Sequence, residues 1–541
     1  MNRQALRDLA IALSLANLLL LRAWAALLNP ANHYLLGAPP GSTAAGVTFV
    51  AVLLLAATLF GVARASRRHP ATGLRRNLTH LAVLAAFFIT LNLLRQQVPA
   101  LALDRLVSAA GSVRGLVGPA LVLVALTGAA VQRWGLEGLS RAAVWVVLVA
   151  SPFMVMTMVS ALWLASDPPS SRVSFQDQTP IPLRPGNALP DRLVFVVFDA
   201  LDQHLLETAR PRGLHLPAFD RLFEQAVRWD NAYPPSQSTL VSMPSLITGR
   251  AIQRVRATAA NELALRYVGA DTEELWSDAP NLFSRTRALG GDSALIGWYH
   301  PYCRVIGRTL SYCRSYPYSP ELENPLADTI RAQGVLMLDS FPGAFRLRGG
   351  ASQAWSWPSG QTDPHWHAHL YRTIHAEALR AAVDPQLDLI FVHYPIPHEP
   401  GIYDRRSGTL TTNGATYVDN LALTDRALGE LQRALVDGGL APRTALLVTA
   451  DHGYRRGDAG ERKASFPVIG KPEHRVPLIL RLPGQVEPVV RHEIICNVVA
   501  HDLALAVLAG VLRAPEDLDS ALAWNGAHGI GGNGRLPRAQ P

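Results

Sequence analysis

Several short segments of this 541-residue chain end in residues that could hold a cation and activate a hydroxyl. The apolar run 445–450 stops at Asp451-His452-Gly453, and the run Val196-Val197-Phe198 stops at Asp199. Phe391-Val392 leads into His393-Tyr394-Pro395-Ile396-Pro397-His398, which offers two imidazoles, and His474 stands just before another apolar run. The segment Pro234-Pro235-Ser236-Gln237-Ser238-Thr239 brings hydroxyls to the start of an apolar helical stretch. Free N–H groups at such a helix start favour an anion. Carboxylate and imidazole without thiolate suit Zn²⁺, with Mn²⁺ as the alternative. A cation beside Thr239 would supply what an unassisted hydroxyl lacks as a nucleophile at neutral pH. Taken singly, each segment reads equally well as a strand or helix end capped by a polar turn.

The elements that must position these residues are legible around them. Strand-like runs at 193–198, 387–393, 444–450 and 476–480 alternate with helical patterns such as 416–435. That alternation predicts an α/β domain with a mostly parallel central sheet, over residues 191–525, with its chemistry at the carboxyl edge. Residues 166–190 are proline-rich and read as a linker, and the glycine-rich tail 526–541 reads as disordered.

The first 165 residues are of another kind. Stretches 9–28, 45–63, 77–94, 113–131 and 142–165 are nearly uncharged, and each is close to the ~17–25 residues a bilayer span needs. An N-terminal multi-span α-helical membrane domain of five transmembrane helices, 1–165, is expected. Arg64, Arg67, Arg68, Arg75 and Arg76 follow the second stretch, whereas 29–44 holds no Lys or Arg. This asymmetry sets the N-terminus inside and the α/β domain on the extracytoplasmic side of the inner (plasma) membrane. Small residues suited to cleavage do not follow the first stretch, so it reads as a retained anchor.

The formal net charge of +8 is explained by arginines flanking the spans, which favour lipid headgroups, and nucleic acid is not an expected partner. Cys303 and Cys313, close together in the exported part, are expected to form a local disulfide, while Cys496 reads as a buried hydrophobe. His365, His367 and His369 read as solvated residues at a helix start. The aromatic run from Gly297 to Cys303 could wall a pocket or pack as a pinned loop, and Arg455 and Arg456 could meet an anionic substrate or solvent.

Asp199, the segment Thr239-x-x-Ser242-x-Pro244 running on to Thr248-Gly249, and Asp451-His452-Gly453 together resemble the alkaline phosphatase and sulfatase superfamily. The closest likeness is to its inner-membrane branch, which includes phosphoethanolamine transferases and lipoteichoic acid synthases. The resemblance implies that Asp199, Thr239, Asp451 and His452 hold the principal metal, with His474 as a further metal histidine and Thr239 as the nucleophile. It implies that His398 binds the transferred group or a second metal, with His393 beside it as a further substrate-binding residue. Phosphoethanolamine transferases have Glu where this chain has Asp199 and carry several disulfides. The formylglycine motif of sulfatases proper is not present around Thr239.

The expected function is a membrane-anchored, metal-dependent transferase moving a phospho-substituent from a membrane lipid donor to an envelope glycan or lipid acceptor through Thr239. The alternatives are a sulfatase-like hydrolase of phosphate or sulfate esters and, in another class, a non-catalytic envelope binding protein.

Overall fold

The computed structural model describes residues 3–28, 33–37, 42–68, 73–97, 117–166, 174–185, 189–207, 210–318, 363–454 and 467–527. The tail from 528, the residues 98–116, and Arg455 and Arg456 lie outside them. The chain divides into two compact units, one built on residues 1–173 and the other on 174–323 and 361–541.

In the first unit, helices Arg3–Leu19, Leu21–Leu28, Ser42–Arg68, Leu74–Gln97, Val117–Val149 and Ser151–Ala165 fall on the described parts of the five apolar stretches, residues 113–116 of the fourth lying outside them. Two helical segments among the described residues, Ala45–Ala65 and Ala125–Trp163, are long and apolar enough to cross a membrane. The polar joint expected at 132–141 holds a break between two helical segments. The break falls at Gly135 (φ 64°, ψ 171°), a conformation open to glycine because it has no Cβ. Inside, Ala16, Leu20, Trp24, Leu27, Val52, Ala56 and Ala161 pack together, and the Thr157 hydroxyl donates to Asn17 Oδ1 at 2.9 Å.

The second unit is built on strands β1 (Arg192–Asp199), β2 (Val227–Tyr233), β3 (Ile252–Ala259), β4 (Glu262–Tyr267), β5 (Glu274–Leu275), β6 (Ser293–Trp298), β7 (Tyr312–Tyr316), β8 (Leu389–Pro397), β9 (Tyr403–Asp404), β10 (Thr409–Leu410), β11 (Thr444–Ala450), β12 (Leu478–Arg481) and β13 (Val489–Cys496). Eight of them form the central sheet in the order β13-β2-β12-β11-β1-β8-β6-β7. Only β12 runs against its neighbours. The sheet is therefore mostly parallel, as the alternation of apolar runs predicts, and the run at 476–480 is its single reversed strand.

β1, β8 and β11 are buried along their whole length, which is why they read as unbroken apolar runs. Val194, Val196 and Phe198 pack against residues of helices Pro364–Ala382 and Tyr417–Asp437 on one face. Helix Ala500–Leu508 packs against β1, and Phe283 of helix Leu282–Ala288 meets Phe391 edge-on at 5.7 Å. Because β1, β8 and β11 are parallel in register, Asp199, His398 and Asp451 leave the sheet at one edge. The reversed β12 begins at that edge, with Leu478 opposite Thr449, which brings His474 to the same side.

Residues 174–185, which composition marks as linker, are strapped to this unit. Gln178 N–H donates to Cys303 O at 2.9 Å and Ile181 N–H to Leu310 O at 2.8 Å. Cys303 and Cys313 form a disulfide beside this strap.

Candidate active site

Asp199 closes β1, and its backbone then turns sharply through Ala200, whose φ of 62° is left-handed. The Ala200 N–H donates to Asp451 Oδ1 at 3.0 Å, and the His452 N–H donates to the same oxygen at 2.8 Å. With Oδ1 so engaged, Asp451 Oδ2 is buried without a hydrogen-bond partner among the described residues. His452 Nδ1 lies 2.8 Å from Gly453 O. A carbonyl only accepts, so Nδ1 carries a proton, and in the neutral ring Nε2 presents its lone pair. That Nε2 stands 3.6 Å from Asp199 Oδ1 and 3.5 Å from Asp451 Oδ2.

Asp199, Asp451 and His452 thus offer one ligand atom each, all within 4.8 Å of one another and all buried. Two buried carboxylates so close repel each other strongly unless a cation or protons intervene. A free carboxylate oxygen, a histidine held as the Nδ1–H tautomer and a second carboxylate form a donor set that fits a divalent metal.

Thr239 opens the ten-residue helix Thr239–Thr248, with Ser238 as N-cap and left-handed Gly249 closing it. Its hydroxyl lies 3.4 Å from Asp199 Oδ2, so the positive end of the helix faces the same cluster. The buried His300 donates from Nε2 to Thr239 O at 3.1 Å, and burial pushes its pKa down to about 3, leaving a neutral ring. His300 belongs to the aromatic run at 297–303, read from sequence as a pocket wall or a pinned loop, and neither reading singled out this contact.

His393 is fully buried and burial pushes its pKa down to about 3. Its Nδ1 shares a hydrogen bond of 3.0 Å with the Tyr302 hydroxyl, while Nε2 stands 3.8 Å from Asp199 Oδ2. His398 is half-buried, with its ring 6.4 Å from that of His452 and 6.1 Å from Trp298. His474 is buried, and its Nδ1 accepts from Val468 N–H at 2.8 Å; it is not among the three residues clustered with Asp199.

His367 corrects the reading of the histidine triplet. His365 and His369 are exposed, but His367 is fully buried with its ring edge-on to Trp298 at 5.7 Å. Its helix turns the positions 367, 370, 371, 374 and 378 inward, a 3.6-residue period present in the sequence.

The model of the sulfatase family matches residues 192–509, more than half of the chain. The chain belongs to the sulfatase family and is an enzyme of the alkaline phosphatase superfamily. No curated protein matches it by sequence. Among solved structures, a sulfatase from Pseudoalteromonas sp. is similar at 15% identity and TM-score 0.41, over 64% of this chain and 74% of that one. The phosphonate monoester hydrolase of Agrobacterium radiobacter is similar at 14% identity and TM-score 0.38, over 60% and 74%. An alkaline phosphatase superfamily protein from Vibrio parahaemolyticus gives 14% identity and TM-score 0.38, over 68% and 77%.

Proposed function

We propose that this chain is a membrane-anchored transferase that moves a phospho-substituent, of phosphoethanolamine or phosphoglycerol type, from a membrane lipid donor to an envelope glycan or lipid. The observation that carries the proposal is the Thr239 hydroxyl, set at a helix N-terminus and 3.4 Å from Asp199 beside the Asp199–Asp451–His452 cluster. The apolar helices of the first unit support a lipid donor and a multi-span anchor of five helices, with the α/β domain on the extracytoplasmic side.

Asp199, Asp451 and His452 would hold a divalent cation, Zn²⁺ first and Mn²⁺ second, with Thr239 beside it and His474 near the same edge. When bound, such a cation polarises the hydroxyl and offsets charge on a phosphoryl oxygen. In the first half-reaction Thr239 Oγ1 bonds to phosphorus as the bond from phosphorus to the lipid glycerol oxygen breaks. The glycerol oxygen leaves carrying the proton that the hydroxyl gives up. In the second, an acceptor hydroxyl displaces Thr239 and returns a proton to it. Neutral His393 would donate a hydrogen bond to the transferred group, and half-buried His398, whose Nδ1 donates to Glu399 O at 2.6 Å, would add a second from Nε2 in its protonated form.

The family itself favours a second reading, hydrolysis of a phosphate or sulfate ester at the same site, with water in place of the acceptor. Intact-mass analysis of the full-length protein incubated with bilayer lipids, wild type against Thr239→Ala, separates the two. A substituent adduct on wild type alone, discharged by a hydroxyl acceptor, is expected. Turnover to free phosphate or sulfate without transfer would establish the hydrolase, and an active Thr239→Ala would remove Thr239 from the chemistry.

A further inference from the structure

Ala200 and Tyr299 are the non-glycine residues with left-handed backbone among those described. A non-glycine residue persists there only when its surroundings hold it, and such positions gather at functional sites. Ala200 is held on both sides. Its N–H is taken by Asp451 Oδ1, and its C=O accepts from the Tyr417 hydroxyl at 2.7 Å. The same hydroxyl accepts from Asp202 N–H at 3.3 Å, so one oxygen ties both ends of the turn that follows Asp199.

Tyr417 is buried at the first position of helix Tyr417–Asp437, which its N-cap Thr416 anchors through a reciprocal pair of hydrogen bonds with Asp419. Its ring stacks on Tyr454, centroids 3.8 Å apart and planes 23° from parallel. The Tyr454 hydroxyl donates to Glu399 Oε1 at 2.9 Å. Ala200, Tyr454 and Glu399 follow Asp199, the Asp451–His452 pair and His398 in sequence, so this chain of contacts joins the segments that leave β1, β11 and β8.

We propose that Tyr417 is a positioning residue for the Asp199–Asp451–His452 cluster. It holds Ala200 left-handed, so that the Ala200 N–H occupies Asp451 Oδ1 and leaves Oδ2 to face the cluster. The inference rests on the reading of that cluster as a cation site. Groups that orient a metal ligand in this way typically alter affinity 10–100-fold when removed.

The test uses full-length protein in detergent, with Zn²⁺ affinity measured by competition against a chromophoric chelator and the visible absorption of the Co²⁺-loaded protein as a report of ligand geometry. Tyr417→Phe should weaken Zn²⁺ about 10–100-fold and change the Co²⁺ spectrum. Ala200→Gly combined with Tyr417→Phe should return affinity toward wild type, because glycine takes this φ without support. The double variant also carries the test if Tyr417→Phe alone does not fold. Unchanged affinity and spectrum in Tyr417→Phe, or a double variant as weak as the single one, overturns the proposal while leaving the cation site intact. Asp451→Asn run alongside separates the two failures: if it binds Zn²⁺ as wild type does, the cation site itself falls and this inference with it.

Discussion

Leu54 and Val436 are about equally exposed, at 60% and 64%, yet they stand in different company. Around Leu54 the helix Ser42–Arg68 also exposes Val50, Leu53 and Val62, and the segment 125–163 exposes Leu126, Trp145, Val149, Met156 and Trp163. Val436 lies between exposed Arg433 and Asp437 on helix Tyr417–Asp437, an isolated apolar residue of the ordinary surface kind. The first unit turns apolar side chains outward and keeps polar ones such as Asn17 and Thr157 inside. The sulfatase domain does the usual opposite, apart from the carboxylates and imidazoles gathered at one sheet edge. The first unit pairs its buried Asn17 and Thr157 with each other, whereas the second gathers buried Asp199, Asp451 and His452 at one sheet edge.

The sharpest break in that comparison comes at the sheet edge. Asp451→Asn removes a charge from the candidate cation site while keeping the shape, so ester turnover should fall about 10³-fold or more. Metal analysis and rate on a chromogenic ester, measured on one preparation, check this; full activity would make the cluster merely structural. Next, Leu54→Arg should cost about 3 kcal/mol of insertion free energy if that face meets lipid, whereas Val436→Arg should change stability by no more than about 0.5 kcal/mol. Membrane extraction and expression of the two variants side by side are decisive, and equal behaviour would erase the distinction.

A smaller effect, of up to about 3 kcal/mol, belongs to Asp425. It accepts from Ala218 and Phe219 N–H at 2.9 Å each, at the start of helix Pro217–Phe223, but burial pushes its pKa up to about 6. A carboxyl raised in the folded state binds its proton more tightly there, so its contribution to stability is full below about pH 4 and is lost as pH rises to about 6. Asp425→Asn should gain on the parent over that interval and keep a constant advantage above it. Denaturant midpoints across pH 4–8 read this directly, and parallel curves would refute it. Smallest is Thr157→Val in the first unit, expected to lower thermal stability by about 0.6 kcal/mol and at most about 1.7, readable as a small drop in the melting midpoint in detergent.

β1, β8 and β11 were legible because each is buried on both faces, so its sequence is a continuous apolar run, and because Asp199, His393 and Asp451 interrupt those runs. The reversal of β12 was not legible, since direction is set by the connections and the neighbouring strands rather than by its four residues. Arg133 and Arg141 marked the joint after the fourth stretch, but the position of its break, at Gly135, depends on a backbone conformation that no neighbouring side chain signals. Tyr417 gave no signal at all: an aromatic at the first turn of an amphipathic helix is ordinary, and its role depends on Ala200, more than two hundred residues earlier. His367, by contrast, carried a helical period that spacing from Ile374 and Ala378 could have exposed.

Gly453 has a consequence for how the chain can vary. A Cβ there would come within 2.9 Å of Glu473 O, so the chain that departs after the Asp–His pair returns to rest directly on its point of departure. A side chain at 453 would have to displace this backbone, which carries His474, away from the Asp451–His452 pair.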